Sequence, residues 1–264
     1  MSKRIVSYAY FSHPASVYQK IKGVAGLQFS QFLPMLVRAH HVVWPEWELR
    51  IYHDNAVTRL PYWREMKNLK AQNWLTLNNM GEARTLCGSM MWRMIPVFEP
   101  DVEYVVCRDV DSIPMPKDRR AVEEFIATDS RFAAHVIHDA KAHAGVMGGT
   151  LALRCASFRE AVKAISLEEL VSRGVDINWD VHGADQQLLN QLSPLFLNRT
   201  MLHELNHDTG LPAFKTTRVI QGEWQKPADD LCFLGGCTEP EPAFKYYDSL
   251  DLVVNHAIRK CEKI

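Results

Sequence analysis

The sequence has no long hydrophobic run: no stretch approaches the ~18 apolar residues that a membrane-spanning helix requires. Its first residues, Met1–Tyr10, place a Lys and an Arg before a short apolar segment that Ser and Tyr interrupt. That pattern favours a β-strand over a secretion signal. We therefore expect a cytoplasmic protein without a transmembrane segment.

An excess of charge of either sign is also lacking. The 30 basic and 31 acidic residues give a formal net charge of −1, so no overall attraction to nucleic acid or to anionic membranes is expected. A local basic patch is compatible with this balance.

Cysteine is scarce and scattered. The six residues include no Cys-x-x-Cys pair, which disfavours a zinc site and suits a reducing compartment.

What is present suits a globular protein. The chain has 264 residues, of which 47% are hydrophobic, and it is long enough to bury a sizeable core without disulfide bonds. No repeat, low-complexity segment or linker divides it, so we expect a single domain over residues 1–264.

Strand-like and helix-like segments alternate along the chain, which predicts an α/β fold with a largely parallel sheet. An interior proline, Pro34, would kink the first predicted helix. The predicted strands are Ile5–Phe11, Glu48–Tyr52, Val102–Cys107, Phe132–Ile137, Thr150–Leu153 and Leu250–Asn255. The predicted helices are Leu27–Val43, Met90–Phe98, Arg119–Ala127, Phe158–Val171 and Asp185–Leu192.

The most informative segment places two carboxylates at the end of an apolar strand. Asp109 and Asp111 follow the strand Val102–Cys107, and ligands of open α/β sheets bind beyond the carboxyl ends of strands. In extended backbone, residues two apart point to the same side. Two carboxylates on one side suit Mg²⁺ or Mn²⁺ shared with substrate phosphates. The pattern therefore predicts a divalent-metal and phosphate site.

Two other interpretations of this segment stay open. An Asp-x-Asp triplet after a strand is often only a polar turn. Arg108, which precedes the motif, could pair with one of the carboxylates and leave no metal site.

The order of several short motifs resembles that of the GT-A glycosyltransferases. Small proteins of that kind have, in order, a WR-x-x-P helix, an RD-x-DS strand end, an H-x-x-x-D…H stretch, a GG turn and a helix start of the form G-x-DQ-x-x-L. The matching segments here are Trp92–Pro96, Arg108–Ser112, His135–His143, Gly148-Gly149 and Gly183–Leu189. The similarity extends over roughly residues 88 to 190 and is poor at both ends of the chain.

The resemblance implies a single-domain GT-A fold, a Rossmann-like nucleotide-diphospho-sugar transferase with a mixed, mostly parallel central sheet. It places a nucleotide-binding half at about residues 1–112 and an acceptor half at about residues 113–264. The implied activity is sugar transfer from a UDP- or GDP-sugar to a hydroxyl acceptor, with Mn²⁺ or Mg²⁺ on the diphosphate. The acceptor could be a glycan, a protein, a small molecule or a modified DNA base.

The same resemblance assigns roles at the centre of the site. Asp109 and Asp111 would bind the metal, with Asp109 also contacting the donor. Asp185 would lie beside the donor sugar, either as the general base or as a group that orients a hydroxyl. Gly148 and Gly149 would let the backbone approach the sugar closely, since glycine has no Cβ.

The remaining donor-binding candidates each have a plainer interpretation. Tyr8 and Tyr10 would contact the base, or they are core aromatics. Arg93 would contact the diphosphate, or it is an ordinary charge on a helix face. Arg108 and Gln186 are candidates by their places in the matched motifs. For Asp185 the alternative is a helix N-cap.

At the third metal ligand the sequence departs from the family. GT-A enzymes often supply a His in an H-F-x-G segment near the C-terminus, and the matching segment here begins with Cys232. A thiolate is a soft ligand that suits Mg²⁺ or Mn²⁺ poorly. His207 is our candidate for the third ligand, with His256 or a water as alternatives.

Two other functions compete with sugar transfer. The departure at Cys232 leaves open a non-catalytic nucleotide-sugar or glycan-binding module on a degenerate transferase fold. An aspartate-dependent phosphohydrolase also has an Asp-x-Asp motif, but usually after the first strand of its domain, whereas this motif follows a strand about a hundred residues into the chain.

Overall fold

The computed structural model of the protein consists of one eight-stranded sheet with helices on both faces. It describes residues 2–11, 33–83, 85–110, 112, 114, 116–128, 132–138, 145–181, 183–204 and 218–220. The strands are β1 (Lys3–Tyr10), β2 (Glu48–His53), β3 (Thr76–Asn79), β4 (Val102–Arg108), β5 (Ala134–His138), β6 (Thr150–Arg154), β7 (Thr200–Glu204) and β8 (Arg218–Ile220).

In the described part of the chain the α-helices fill the connections between these strands. Three 3₁₀ segments, Ala56–Arg59, Ser193–Leu195 and Leu197–Arg199, are short, and a fourth, Met91–Phe98, leads into β4. The α-helices are α1 (Leu33–Val43), α2 (Trp63–Ala71), α3 (Leu86–Met90), α4 (Pro116–Ala127), α5 (Cys155–Val162), α6 (Leu167–Ser172) and α7 (Ala184–Leu192).

The strand order is β3-β2-β1-β4-β6-β5-β7-β8. All the pairings are parallel except those of β6, which runs antiparallel to both β4 and β5. The chain builds β1, β2 and β3 outward in one direction and then returns to add β4 on the other side of β1. In an open α/β sheet such a reversal leaves a crevice at the carboxyl ends of the two central strands, here β1 and β4.

Alternate residues of the central strands face two separate cores, as the two-residue period of a strand dictates. On one face, Ile5 and Val105 pack in a cluster with the Met91–Phe98 segment, α5 and α7. On the other face, Val6 and Val106 pack against α1, α2 and α4. Along β4, odd-numbered residues such as Val105 therefore face the first core, and even-numbered residues such as Val106 face the second. We expect the residue just beyond the strand to follow the same alternation.

Most predicted elements are present, with two corrections. Met90–Phe98 is mainly a 3₁₀ helix with Pro96 inside it, and not an α-helix. The predicted helix Phe158–Val171 is wrong as one element, because α5 ends at Lys163, whose φ of 53° lies in the left-handed region, and α6 begins separately. Pro34 is the second residue of α1 as described, Leu33–Val43.

Several elements were not predicted: α2, α3, β3, β7 and β8. Residues 27–32 of the first predicted helix and the predicted strand Leu250–Asn255 lie outside the described residues. Within the described part, no helix is both long enough and apolar enough to cross a membrane.

Candidate active site at the carboxyl edge of the sheet

The crevice between β1 and β4 contains a cluster of two carboxylates joined by one guanidinium. Asp109 directly follows β4, and Asp185 lies in the first turn of α7. Arg93, on the Met91–Phe98 helix, donates from Nη1 to Oδ1 of Asp109 and from Nη2 to Oδ2 of Asp185, the latter over 2.7 Å. Three distant segments of the chain therefore converge on one point.

The local structure explains why Arg93 points there. Asp109 has the same parity as Val105 and Cys107, so it faces the core that the Met91–Phe98 helix covers. The Cys107 thiol lies 3.5 Å from the Arg93 carbonyl oxygen, to which it donates, and burial raises its pKa to about 12. The thiol is therefore a neutral packing group beneath the arginine.

The electrostatics of this cluster keep the arginine charged. Burial of the guanidinium lowers its pKa, but the carboxylates of Asp109 and Asp185 outweigh burial, so the pKa of Arg93 is raised overall. The side chains of Arg93 and Asp185 are almost fully buried, whereas that of Asp109 is 43% exposed. Asp109 is thus the carboxylate that a ligand from solvent can reach.

Two glycines bring the backbone against these charged groups. A Cβ on Gly148 would lie 2.4 Å from Nη2 of Arg93, and a Cβ on Gly149 would lie 1.8 Å from Oδ2 of Asp109. Both distances are far inside van der Waals contact, so an alanine at either position would displace the Arg93 or the Asp109 side chain. The GG turn, the RD-x-DS strand end and the WR-x-x-P helix, which were recognised as separate motifs, are in direct contact.

The other predicted donor-binding residues lie elsewhere. Tyr8 and Tyr10 are buried in the core on the opposite face of the sheet, and Tyr8 exposes no surface to a ligand. Arg108 is buried on that same side and paired with Asp118. Gln186 lines a shallow groove on α7 with Gly183, Gln187, Asn190 and Gln191. Their contact with a donor stays a prediction.

The structure describes only part of the predicted metal site. Of its three proposed ligands, Asp109 is described, whereas Asp111 and His207 lie outside the described residues, as does His256. Over the described ranges, no group of three or more His, Cys, Asp or Glu side chains is arranged to hold a metal ion. Asp109 itself has an accessible carboxylate, an oxygen ligand of the kind that hard cations prefer, and it lies at the carboxyl edge, where open α/β sheets bind ligands.

Sequence reasoning missed an apolar wall beside the cluster. Phe11, directly after β1, and Trp92, next to Arg93, meet edge to face with ring centroids 5.8 Å apart. Ala184, which precedes Asp185, packs in the same small group together with Trp179. The sequence indicates these aromatic residues only by their positions: Phe11 directly follows β1, and Trp92 precedes the arginine of the WR-x-x-P motif.

Comparisons with known proteins bear on the fold. No family model matches the chain, and no curated protein matches it either. Among solved structures, the glycosyltransferase GlyE of Streptococcus pneumoniae superposes with a TM-score of 0.50 at 15% identity, over 99% of this chain and 64% of GlyE. The present chain thus spans less than two thirds of GlyE.

Two further structures are similar at lower scores. A cytidylyltransferase from Leptospira borgpetersenii has a TM-score of 0.47 at 11% identity, over 100% of this chain and 96% of its own. The mannosyltransferase PcManGT from Pyrobaculum calidifontis, solved with GDP-Man and Mn²⁺, has a TM-score of 0.40 at 16% identity, over 74% and 53%. The fold class predicted from the sequence is confirmed: the chain has a GT-A-like, Rossmann-like α/β fold with a mixed, mostly parallel sheet.

Proposed function

We propose that the protein is a glycosyltransferase that moves a sugar from a nucleotide-diphosphate donor to a hydroxyl acceptor. The observation that carries the proposal is the Asp109–Arg93–Asp185 cluster at the carboxyl ends of the central strands. Fold alone does not determine activity, since one fold hosts many reactions. The cluster adds charged groups at the place where such sheets bind phosphates.

Metal binding is the part of this proposal that concerns Asp109 most directly. Asp109 and Asp111 would hold Mn²⁺ or Mg²⁺, with His207 as the candidate third ligand. A bound cation would supply charge that stabilises the departing nucleoside diphosphate. The exposed carboxylate of Asp109 and the close approach of Gly149 support this placement.

The surroundings of Asp185 favour one of its two proposed roles. Its carboxylate is buried and accepts a hydrogen bond from the Arg93 guanidinium. A carboxylate held in this way is fixed in direction, which suits hydrogen bonding to a sugar hydroxyl. We therefore propose that Asp185 orients the donor sugar.

The donor is proposed to be a UDP- or GDP-sugar, and the acceptor a hydroxyl of a glycan, a protein, a small molecule or a modified DNA base. Residues 1–112 would form the nucleotide-binding half and residues 113–264 the acceptor half. The described residues of the first half include β1 to β4, whose carboxyl ends border the cluster.

Calorimetry tests the proposal. UDP and GDP would be titrated into the protein with Mn²⁺, with Mg²⁺ and with EDTA, and into the variants Asp109→Asn and Asp111→Ala. Asp101→Asn is the matched control, because Asp101 is exposed and pairs with Lys3 at the amino edge of the sheet. We expect one nucleotide to bind only with metal, and both site variants, but not the control, to lose that binding. Binding of neither nucleotide by the wild-type protein would contradict the proposal.

One observation favours a second candidate, a nucleotide-sugar-binding module without transfer activity. Arg93 pairs with Asp109, so the charge of this carboxylate is already compensated without a metal ion. Nucleotide binding that persists in EDTA, is lost in Arg93→Met and is accompanied by neither transfer nor hydrolysis of the donor would support this candidate.

A further inference from the structure

A second arginine beside the cluster has its hydrogen-bonding groups directed into the protein. Arg108, the last residue of β4, donates from Nε and Nη2 to the two carboxylate oxygens of Asp118, over 3.0 and 2.5 Å. Its Nη1 donates to the carbonyl oxygens of Cys107 and Leu151, over 2.7 and 3.2 Å. Both side chains of the Arg108–Asp118 pair are buried.

These bonds tie together three elements that border the candidate site. Asp118 belongs to the first turn of α4, which is the helix that follows the acidic motif. Leu151 belongs to β6, which begins directly after the Gly148-Gly149 turn. Arg108 thus connects the end of β4 to the next helix and to the neighbouring antiparallel strand.

The connection bears on Asp109 from two directions. Asp109 is the residue next to Arg108, so fixing the end of β4 fixes where its backbone leaves the sheet. Arg108 also pairs in register with Thr150, whose neighbour Gly149 touches the Asp109 carboxylate. The backbone pairing of β4 with β6 thus brings the strand end and the glycine turn together, and the Arg108 guanidinium adds a side-chain bond to the same strand at Leu151.

The Arg108–Asp118 ion pair is expected to contribute more to the geometry of the site than to the stability of the fold. A buried ion pair adds little net stability relative to apolar residues of similar volume, because both charges lose their hydration. A bidentate arginine–carboxylate contact does fix distance and direction closely. The pair lies one residue from the candidate ligand, where fixed geometry matters most to binding.

We propose that Arg108 and Asp118 are positioning residues: their ion pair holds Asp109 in the geometry that binds the metal and the diphosphate of the donor. This inference rests on the proposed function and assigns Arg108 a role behind the site rather than contact with the donor. Neither residue touches the ligand, and both act through the placement of Asp109 against Gly149.

The test compares two ion pairs at opposite edges of the same sheet. Asp118→Asn removes the carboxylate charge from the pair. Glu99→Gln is the control at the amino edge, where Glu99 pairs with the nearly buried Arg50, which also pairs with Glu48. Since Asp118→Asn leaves Arg108 as an unpaired buried charge, the double variant Arg108→Met/Asp118→Leu provides a second measurement without that charge. The readouts are the dissociation constants of UDP and GDP with Mn²⁺, and the unfolding midpoint of each variant.

We expect Asp118→Asn and the double variant to weaken Mn²⁺-dependent nucleotide binding by about tenfold to a hundredfold, the usual effect of removing a group that supports a metal ligand. Binding is measured at a temperature well below the unfolding midpoint of each variant. Glu99→Gln should lower the midpoint and leave the dissociation constant unchanged. A folded double variant with the wild-type dissociation constant would overturn the inference alone. Absence of binding by the wild-type protein would instead overturn the proposed function, and the inference with it.

Discussion

Arg93 donates a 2.7 Å hydrogen bond to Asp185, although the two residues are 92 positions apart in the sequence. Both side chains are almost fully buried, so each charge depends on the other for compensation. Asp109, the second partner of Arg93, is open to water and depends on the arginine less. The contact therefore contributes to the fold as well as to the candidate site, and its two contributions can be separated by mutation.

Replacement of Arg93 by Met should destabilise the protein by about 3 kcal/mol, because it leaves the Asp185 carboxylate buried and unpaired. The double variant Arg93→Met/Asp185→Leu should recover part of this loss, since no buried charge then remains. Urea unfolding of the wild type, both single variants and the double variant measures the coupling. A loss below about 1 kcal/mol in Arg93→Met would show that the pair does not form.

Gly149→Ala should disturb the site, because the new Cβ would lie 1.8 Å from Oδ2 of Asp109 and would push the carboxylate away from Arg93. We expect a stability loss of about 1–3 kcal/mol, as for other overpacked positions, together with weaker metal-dependent nucleotide binding. Thermal unfolding and calorimetric titration measure the two effects.

Gly88→Ala is the control for that substitution. Its Cβ would meet the hydroxyl oxygen of the Thr85 side chain at 2.2 Å, and this oxygen can turn away at little cost. Nucleotide binding should stay at the wild-type level. Equal binding by Gly149→Ala and by Gly88→Ala would contradict the proposed closeness of the glycine turn to the ligand.

The sequence was sufficient to predict the strand that positions Asp109, because an apolar run followed by acidic residues is a local pattern. It could not predict that Arg93 bridges Asp109 and Asp185, since that contact depends on how three distant segments pack. Arg108 was a plausible partner for the motif by proximity. Because side chains alternate along β4, Arg108 instead points to the opposite face of the sheet from Asp109 and pairs there with Asp118.

Other differences have equally specific causes. α2 was missed because its stretch Trp63–Ala71 is mostly polar, and only Met66 and Leu69 are buried. β3 was missed because Thr76–Asn79 is a short polar strand at the sheet edge. The break between α5 and α6 depends on the φ of Lys163, a residue type that does not by itself signal a helix end.

His40 should make folding stability depend on pH. Burial lowers its pKa from an ordinary 6.5 to about 4, while its Nε2 donates to the Trp47 carbonyl oxygen over 3.0 Å and its Nδ1 has no partner. The unfolded chain therefore binds the proton more readily than the folded one. Stability from this residue is complete above pH 6.5 and decreases as the pH falls toward 4, by about 3 kcal/mol in total.

The variant His40→Gln isolates that effect, because a glutamine amide can still donate to Trp47 but does not titrate. The free energy of unfolding, measured in urea at about pH 7.5 and about pH 4.5, should fall less in the variant than in the wild type. The buried His135, whose pKa burial also lowers, contributes a decrease of the same sign in both proteins. Equal decreases in the two proteins would show that His40 does not titrate as expected.

The same substitution, Lys to Gly, should have opposite effects at two exposed positions. Lys163 has a φ of 53°, a left-handed conformation that is unfavourable for residues with a Cβ, and it ends α5. Lys163→Gly should therefore stabilise the protein by about 1 kcal/mol, although glycine also loses more entropy on folding. Lys67 lies in the middle of α2, where glycine disfavours the helix, so Lys67→Gly should destabilise by about 1 kcal/mol. Thermal unfolding of both variants gives the two signs, and a lower midpoint for Lys163→Gly would contradict the left-handed helix end.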